Sequence, residues 1–576
     1  MTIVLIKEWI DTDVAFFSVL LLLVLGGVIN VQEAFSGFSN KGMLTVAFLF
    51  IVAGAVQKTG ALNWLGDKLL GKGGSISTKL LRLLFPVSGI SAFFNNTPIV
   101  AILIPVIRHW SKKNSTPLSK LLIPLSYAAI LGGMCTLIGT TTNLVIHGMM
   151  LENGFEGFSF FSLSRIGIPV AISGVLLISL IGHRLLPERK EPMVELGEKT
   201  REFIVTMKVE ANCSHIGKSI ESAGLRHLKG LYLFQIEREN QILAPVSPKE
   251  VILKNDRLFF TGLPETILEL QKTRGLSVMK NMPFDFADYD SDQLGTFEVV
   301  ISSDSPLVGQ NVRNSQFRSH YDAVIIAIHR SGERIQKKIG DVVLRAGDTL
   351  LLVSRKNFME RWYHAREFYL VSKSVEMISK PRKYSYLSLF LLAAMIVVLA
   401  LQLLPILVAV GLTAMLLIFF RCVTPQDARK SIDWPVLVMI ASAFGIARGL
   451  ENSGLADFLA AQIIALGSPL GTFGIIAGVY ILANLYTSII TNNAAAALAF
   501  PIALSVVTRT HMEPVPLFIT VALAASASFA TPIAYQTNLM VYGAGGYRFR
   551  DFIKIGVPMN ILIGLLTVTF IYLFYF

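Results

Sequence analysis

Charge is scarce in this chain. Only 16% of its 576 residues are Asp, Glu, Lys or Arg, 53% are hydrophobic, and the mean hydropathy is +0.59. That composition is too apolar for an ordinary soluble protein. Cysteine is scarcer still: Cys135, Cys213 and Cys422 offer no disulfide framework and read as small packing residues. Gly, Ser and Asp nowhere form a nucleophile elbow or a metal cluster, so nothing points to an enzyme. No Gly-x-Gly-x-x-Gly follows a strand-like run, which removes a nucleotide-binding Rossmann unit, and no Thr-Val-Gly-Tyr-Gly run supports a channel filter. The net charge of +12 does not call for nucleic acid as a partner, because cytoplasmic loops of membrane proteins collect Lys and Arg.

What is present is uncharged length. About 20 apolar residues cross a hydrocarbon core of ~30 Å. Residues 14–31, 83–107, 121–146, 384–420 and 458–508 carry no charge, and 555–576 form a last apolar run. The 384–420 run has room for two spans. Residues 14–31 precede no small-residue cleavage site and read as a retained span. These runs predict a polytopic α-helical membrane protein, multi-pass in a cell membrane (the inner one in a bacterium), with the lipid bilayer as its solvent.

Between residues 187 and 383 charges return and no run can span. The segment repeats: Gly217 matches Gly309 and Asp256 matches Asp348, each pair 92 residues apart. Short alternating runs at 231–236 and 323–328, followed by Arg-Glu-Asn and Arg-Ser-Gly, predict strands and turns, with a short helix over 216–223 and 308–314. Each copy is expected to be a small α+β domain, at 202–282 and 295–370. Through "IGKSI" with "KNDRLFFTG", and "VGQNV" with "AGDTLLLVS", the copies resemble the RCK C-terminal (TrkA-C) domain. The resemblance implies a pair that tends to dimerise and can bind a small-molecule ligand, with a scaffold that binds none as the alternative; loop charge and the count of spans place the pair in the cytoplasm.

The flanking segments, 1–187 and 384–576, match each other. Ala34 pairs with Ala428 and Gly60 with Gly454, Asn96 with Asn492, Pro105 with Pro501, Thr142-Asn143 with Thr537-Asn538, and Gly167 with Gly556. Internal repeats of this kind mark secondary transporters. Basic residues flank "SAFFNNTPIVAILIP" on both sides, at Lys79, Arg82, Arg108 and Lys112, so 83–107 is expected to enter and leave the membrane from the cytoplasm as a re-entrant hairpin. "TSIITNNAAAALAFP" lacks such flanks and is expected to do the same from outside, which inverts the second half against the first. The second half opens with one span more than the first, and the missing counterpart would lie before Met1.

Polar tips at membrane depth survive only in protein or around a wet cavity. Each tip has a companion, "LIGTTTNLVI" or "FATPIAYQTNLMV", inside a long apolar run that reads as a broken helix. Helix caps are the simpler reading of one such tip; two matched tips argue for a site. His147 and His109 read as interfacial rather than as proton carriers.

On these motifs the two halves resemble the divalent anion:sodium symporter (DASS) family of the ion transporter superfamily. Where that family carries Ser-Asn-Thr at each tip, this chain has Asn95-Asn96-Thr97 and Thr491-Asn492-Asn493. The resemblance implies an inverted-repeat, elevator-type dimer. It implies one sodium site at Ser91, Asn95, Asn96 and Gly139 and a second at Thr487, Thr491, Asn492 and Ala530. It places the anion against Asn96, Thr97, Asn492 and Asn493, with Thr141, Thr142 and Thr531. Family members with an RCK-like insert suggest sulfate as the anion; a dicarboxylate symporter and a sodium/proton or metalloid antiporter are the alternatives. No acidic residue stands in either tip or broken loop, which suits sodium and an anion better than a proton exchanger. A channel or sensor gated by the insert is a third reading.

Overall fold

The computed structural model describes residues 12–59, 75–114, 116–189 and 382–576, and between them 204–225, 228, 231–239, 241–243, 246–262, 275–279, 294–303, 305–330, 332–335, 337, 339–355, 357–362 and 367–370. The first helical segment holds α1 (Thr12–Leu25), α2 (Lys41–Lys58), α3 (Ile76–Ser91), α4 (Asn96–Lys113), α5 (Leu122–Gly133), α6 (Thr141–Glu152) and α7 (Ser164–Leu177). The second holds α8 (Arg382–Ala400), α9 (Ile406–Phe419), α10 (Trp434–Asn452), α11 (Leu455–Gly467), α12 (Gly471–Ile489), α13 (Asn492–Thr510), α14 (Pro514–Ser526), α15 (Gln536–Ala544) and α16 (Phe549–Tyr575). The uncharged 384–420 run is two helices, α8 and α9, and each Asn-containing tip interrupts a helix pair, α3/α4 or α12/α13.

Among the described residues seven helical stretches are long and apolar enough to cross a membrane. Their outward faces are apolar at helical spacing: Ile553, Val557, Ile561 and Leu565 on α16 and Ile481, Leu485 and Ile489 on α12 are all exposed. Stripes of this size on several helices would associate in water, and they fit a lipid surface. Together with the long charge-free runs they make this a multi-pass membrane protein.

Local chemistry sets the interruptions. Pro98 lacks an N–H and is tolerated in the first turn of α4 but not within a continuous α3–α4 helix. The second tip has no proline; there Ile489, Ile490 and Thr491 form a β-branched run, and Ile490 is extended. The packing is reciprocal across the two halves. α3 packs on α5 and α12 on α14, each within its own half, whereas α4 packs on α15 and α13 on α6, each in the other half. α1 likewise packs on α10 and α2 on α9.

The middle segment forms two five-stranded antiparallel sheets. The first uses β1 (Ile204–Val209), β2 (Leu231–Arg238), β3 (Gln241–Leu243), β4 (Arg257–Gly262) and β5 (Leu276–Val278) in the order β3-β2-β4-β1-β5. The second uses β6 (Leu294–Ile301), β7 (Ala323–Arg330), β8 (Glu333–Arg334), β9 (Thr349–Arg355) and β10 (Phe368–Leu370) in the same order, β8-β7-β9-β6-β10. Irregularities coincide as well: a register shift at Leu233/Gln235 recurs at Ile325/Ala327, and the isolated bridge Ser219–Val251 recurs at Asn311–Val343.

Two expectations change here. The helices expected over 216–223 and 308–314 are runs of turns. Gly217 and Gly309 sit at φ +80° and +82°, and their N–H groups bond to Ile252 O and Leu344 O, each 35 residues further along the chain, so no helical ladder can form. Arg238 and Arg330, read as turn residues, instead make paired bonds of 2.9 Å and 2.7 Å to the buried carboxylates of Asp256 and Asp348. That charge-assisted contact holds each guanidinium above its ordinary pKa range.

The second sheet docks on the helices. Glu298 on β6 meets Arg108 on α4 at 3.0 Å, with both side chains at most 8% exposed. Gly332, at φ +73°, comes so close to the chain after α15 that a Cβ there would lie 2.3 Å from Gly546 O. Removing one partner of a buried ion pair strands the other charge, at about 3–5 kcal/mol. Arg108→Ala or Glu298→Ala should therefore lower thermal stability in detergent markedly, and Arg108→Met with Glu298→Leu should be milder than either single change. Circular-dichroism melts of the three variants check this order.

Candidate functional site

The sequence-derived residues converge where each tip meets the broken helix of the other half. At the first tip the Ser91 hydroxyl donates to Asn96 Oδ1 at 2.7 Å, and Asn96 Nδ2 donates to the Tyr535 hydroxyl at 2.8 Å. Thr97 Oγ1 donates to Gln536 Oε1 at 3.1 Å. At the second tip, Asn493 Oδ1 accepts from Thr141 Oγ1 at 3.0 Å and from Thr142 Oγ1 at 3.1 Å. Tip one is thus held by loop two, and tip two by loop one.

Behind Asn492 lies an oxygen cluster. Thr487 Oγ1 is 2.8 Å from Asn492 Oδ1, 2.6 Å from Ala525 O and 3.0 Å from Ser528 Oγ, and Ser528 Oγ is 2.8 Å from Asn492 Oδ1. Only two of these atoms carry a proton, for four oxygen–oxygen contacts. Such a group is electron-rich without holding a formal charge, the chemistry of a neutral-oxygen cation ligand set.

The two broken loops are laced in the same way. Asn143 Nδ2 donates to Gly133 O at 3.2 Å and Thr136 O at 2.8 Å, and Asn538 Nδ2 donates to Ser528 O at 2.7 Å and Thr531 O at 3.2 Å. The accepting carbonyls stand ten and seven residues earlier in both cases. Gly167 and Gly556 press against these loops: a Cβ would lie 2.4 Å from Met134 O or 2.1 Å from Phe529 O. Gly139 folds back on Gly133 O, and Ala530 lies against Gly556.

Other sequence-derived residues stand apart from these bonds. Asn95 and Thr491 occupy N-cap positions without a side-chain cap bond, so the capping reading does not hold for either tip. Asn95 lines an apolar crevice with Phe93, Phe94, Ile138 and Thr141 beside α2. The Thr531 hydroxyl is used locally, accepting from Ala534 N–H at 3.2 Å. His147 is buried, and its Nδ1 accepts from Phe158 N–H at 3.0 Å. The sequence reading missed Tyr535, Gln536, Ser528, and the amide clamps of Asn143 and Asn538. The paired Thr-Asn at 142–143 and 537–538 was the available signal.

A family model described as "Citrate transporter" matches residues 2–506 and 475–576. A Chlamydomonas reinhardtii protein named for a regulator of the sulfur deprivation response is 33% identical over 99% of each chain. An uncharacterized transporter of Synechocystis is 31% identical over the whole of this chain and 95% of its own. Sodium/sulfate cotransporter 1 of Chlamydomonas reinhardtii is 26% identical over 97% of this chain and 87% of its own.

The Asn96–Tyr535 bond joins the halves through a single hydroxyl. Tyr535→Phe should remove about 0.5–1.5 kcal/mol of stabilisation. Gly556→Ala should lower thermal stability more, because backbone at Phe529 cannot move aside as a side chain can. Melting curves of both purified variants compare the two.

Proposed function

The chain belongs to the citrate transporter family, and on that premise we propose that it moves a small divalent anion across the membrane together with sodium, with sulfate as the preferred anion. The observation that carries this reading is the reciprocal bonding of each tip to the opposite broken loop by amides and hydroxyls. Neutral oxygens suit sodium, and a site lined by them does not repel an anion. The first turns of α4 and α13 lack side-chain caps, which leaves their N–H groups and positive dipole ends for the substrate. The similarity to a sodium/sulfate cotransporter adds support for both solutes.

In this reading Ser91, Asn95, Asn96 and Gly139 bind one sodium ion, and Thr487, Thr491, Asn492 and Ala530 bind another, with Ser528 beside the second. The anion lies between Asn96, Thr97, Asn492 and Asn493, near Thr141, Thr142 and Thr531. The matched halves act as inverted repeats. The tips and broken loops move together as an elevator against the remaining helices, in a homodimer. The paired sheets face the cytoplasm, where they scaffold the dimer or regulate transport in response to a small ligand. A second reading, a carboxylate as the carried anion, is favoured by the description of the family.

Purified protein in liposomes with an inward sodium gradient should accumulate labelled sulfate, and unlabelled sulfate or thiosulfate should compete better than succinate. Complete block by succinate without block by sulfate would replace sulfate with a dicarboxylate. Asn96→Ala and Asn492→Ala should each abolish sodium-driven uptake in folded protein; sodium-independent uptake at the wild-type rate by both would remove the sites. Joining residue 187 to 383 by a flexible linker should keep measurable uptake. A folded deletion without uptake would make the sheets part of the transport machinery.

A further inference from the structure

We infer that the second sheet is built into the body that carries the tips and travels with it during transport. The inference rests on the elevator reading above and assigns the sheet to the moving side of it. Its docking contacts gather on α4, α15 and the turn into α16. β6 reaches α4 through the Arg108–Glu298 pair, both of whose side chains are buried. The fully buried Val300 of β6 shares one apolar core with Ile104 and Ile107 of α4 and Tyr542 of α15. A Cβ on Gly543 of α15 would lie 2.6 Å from Thr349 Oγ1 on β9 and 2.8 Å from Val300 Cγ2. A Cβ on Gly347 would lie 2.7 Å from Leu539 Cδ1 of α15. Arg548, just before α16, pairs with Glu333 on β8.

Those helices hold the candidate site. α4 begins with Asn96 and Thr97, α15 begins with Gln536, and α16 lies on the second broken loop through Gly556. The chain is tied to the same body where it leaves the first half. Arg189 pairs with Asp551 of α16 at 2.9 Å, and Lys120, just before α5, donates from Nζ to Leu186 O at 2.6 Å. It rejoins the other helices at α8, which packs on α9 and α2 and is held to the end of α2 by the Thr59–Ser388 bond at 2.8 Å. A sheet that stayed with α8 while α4 and α15 moved would have to part Arg108 from Glu298 in every cycle, stranding both charges in an apolar contact. It would also have to slide Val300 and Thr349 across Gly543, and surfaces packed this closely pass between discrete arrangements rather than glide. Travel with the tips breaks none of these contacts. Whatever holds the second sheet still, such as a ligand bridging it to α8, then holds the tips still as well.

Covalent locking tests this. Thr349→Cys with Gly543→Cys places two thiols where sheet and helix touch, and the native Cys135, Cys213 and Cys422 are buried. Sodium-driven uptake of labelled sulfate is measured in liposomes before and after oxidation, with the disulfide confirmed by mass spectrometry. Uptake by the oxidised protein should stay within twofold of the reduced protein. A larger fall that a reductant reverses overturns the inference, because the sheet would then have to leave α15 in the cycle.

A second measurement needs no uptake and no contact residue. Spin labels are attached pairwise through Ser319→Cys beside the second sheet, Arg550→Cys on α16 and Lys430→Cys before α10, all exposed positions. Distances are read in lipid nanodiscs with sodium sulfate and with choline chloride. The 319–550 distance should hold, while the 319–430 and 550–430 distances change together. A changed 319–550 distance beside a constant 319–430 distance sets the sheet on the stationary side and overturns this inference alone. Three constant distances overturn it together with the elevator reading.

Discussion

A peptide group that leaves a helix inside hydrocarbon has to find its hydrogen-bond partner within the protein. Among the described residues this chain breaks its helices at four polar stretches within charge-free runs, after Ser91, Gly133, Ile489 and Ser526. The rest of the helical body is arranged around those four breaks. Each tip is held by a loop of the opposite half, and each loop is laced by a buried asparagine that reaches two of its carbonyls. Glycine then sets the spacing, since Gly167 and Gly556 allow α7 and α16 to lie directly on the loops. Polar groups among these apolar helices are tolerated because so few of them are left without a partner.

The breaks were legible in the sequence because polar residues are conspicuous in runs that carry no charge. Asn96, Thr97, Asn492 and Asn493 stood out for that reason, and Thr142 and Thr537 followed from the match between the halves. Partners could not be read in the same way. Tyr535 is an unremarkable aromatic residue in an apolar run until Asn96 is placed beside it. Asn143 and Asn538 bond to backbone oxygens, which leave no trace in residue identity. Alternation and the 92-residue match made the strands of the middle segment visible. The helices expected at 216–223 and 308–314 failed because left-handed glycines and bonds to carbonyls distant in sequence overrode a locally helical pattern.

The middle segment is joined to the helices at particular points. Arg108 lies on α4, whose first residues are Asn96 and Thr97, and Gly546 follows α15, whose first residue, Gln536, bonds to Thr97. Glu298 and Gly332 of the second sheet touch the far ends of those same two helices. The first sheet repeats the topology of the second, but it has Thr206 where the second has Glu298, so the buried ion pair belongs to one copy alone. The two sheets share one strand order, and Glu298 is one of the residues by which the second grips the helices.

The bond between Asn96 and Tyr535 spans 439 residues of chain. Synthesis proceeds at roughly 5–20 residues per second, so the first tip waits about 20–90 s after its own translation before its partner exists. Throughout that interval Asn96 and Thr97 belong to a half-built protein already beside a bilayer, with Tyr535 and Gln536 not yet made. The nascent first half must shelter this pair in translocation machinery, in the aqueous interface or in a provisional packing that is later undone. The architecture that closes the site across two halves therefore also fixes when in the life of the chain the site can first form.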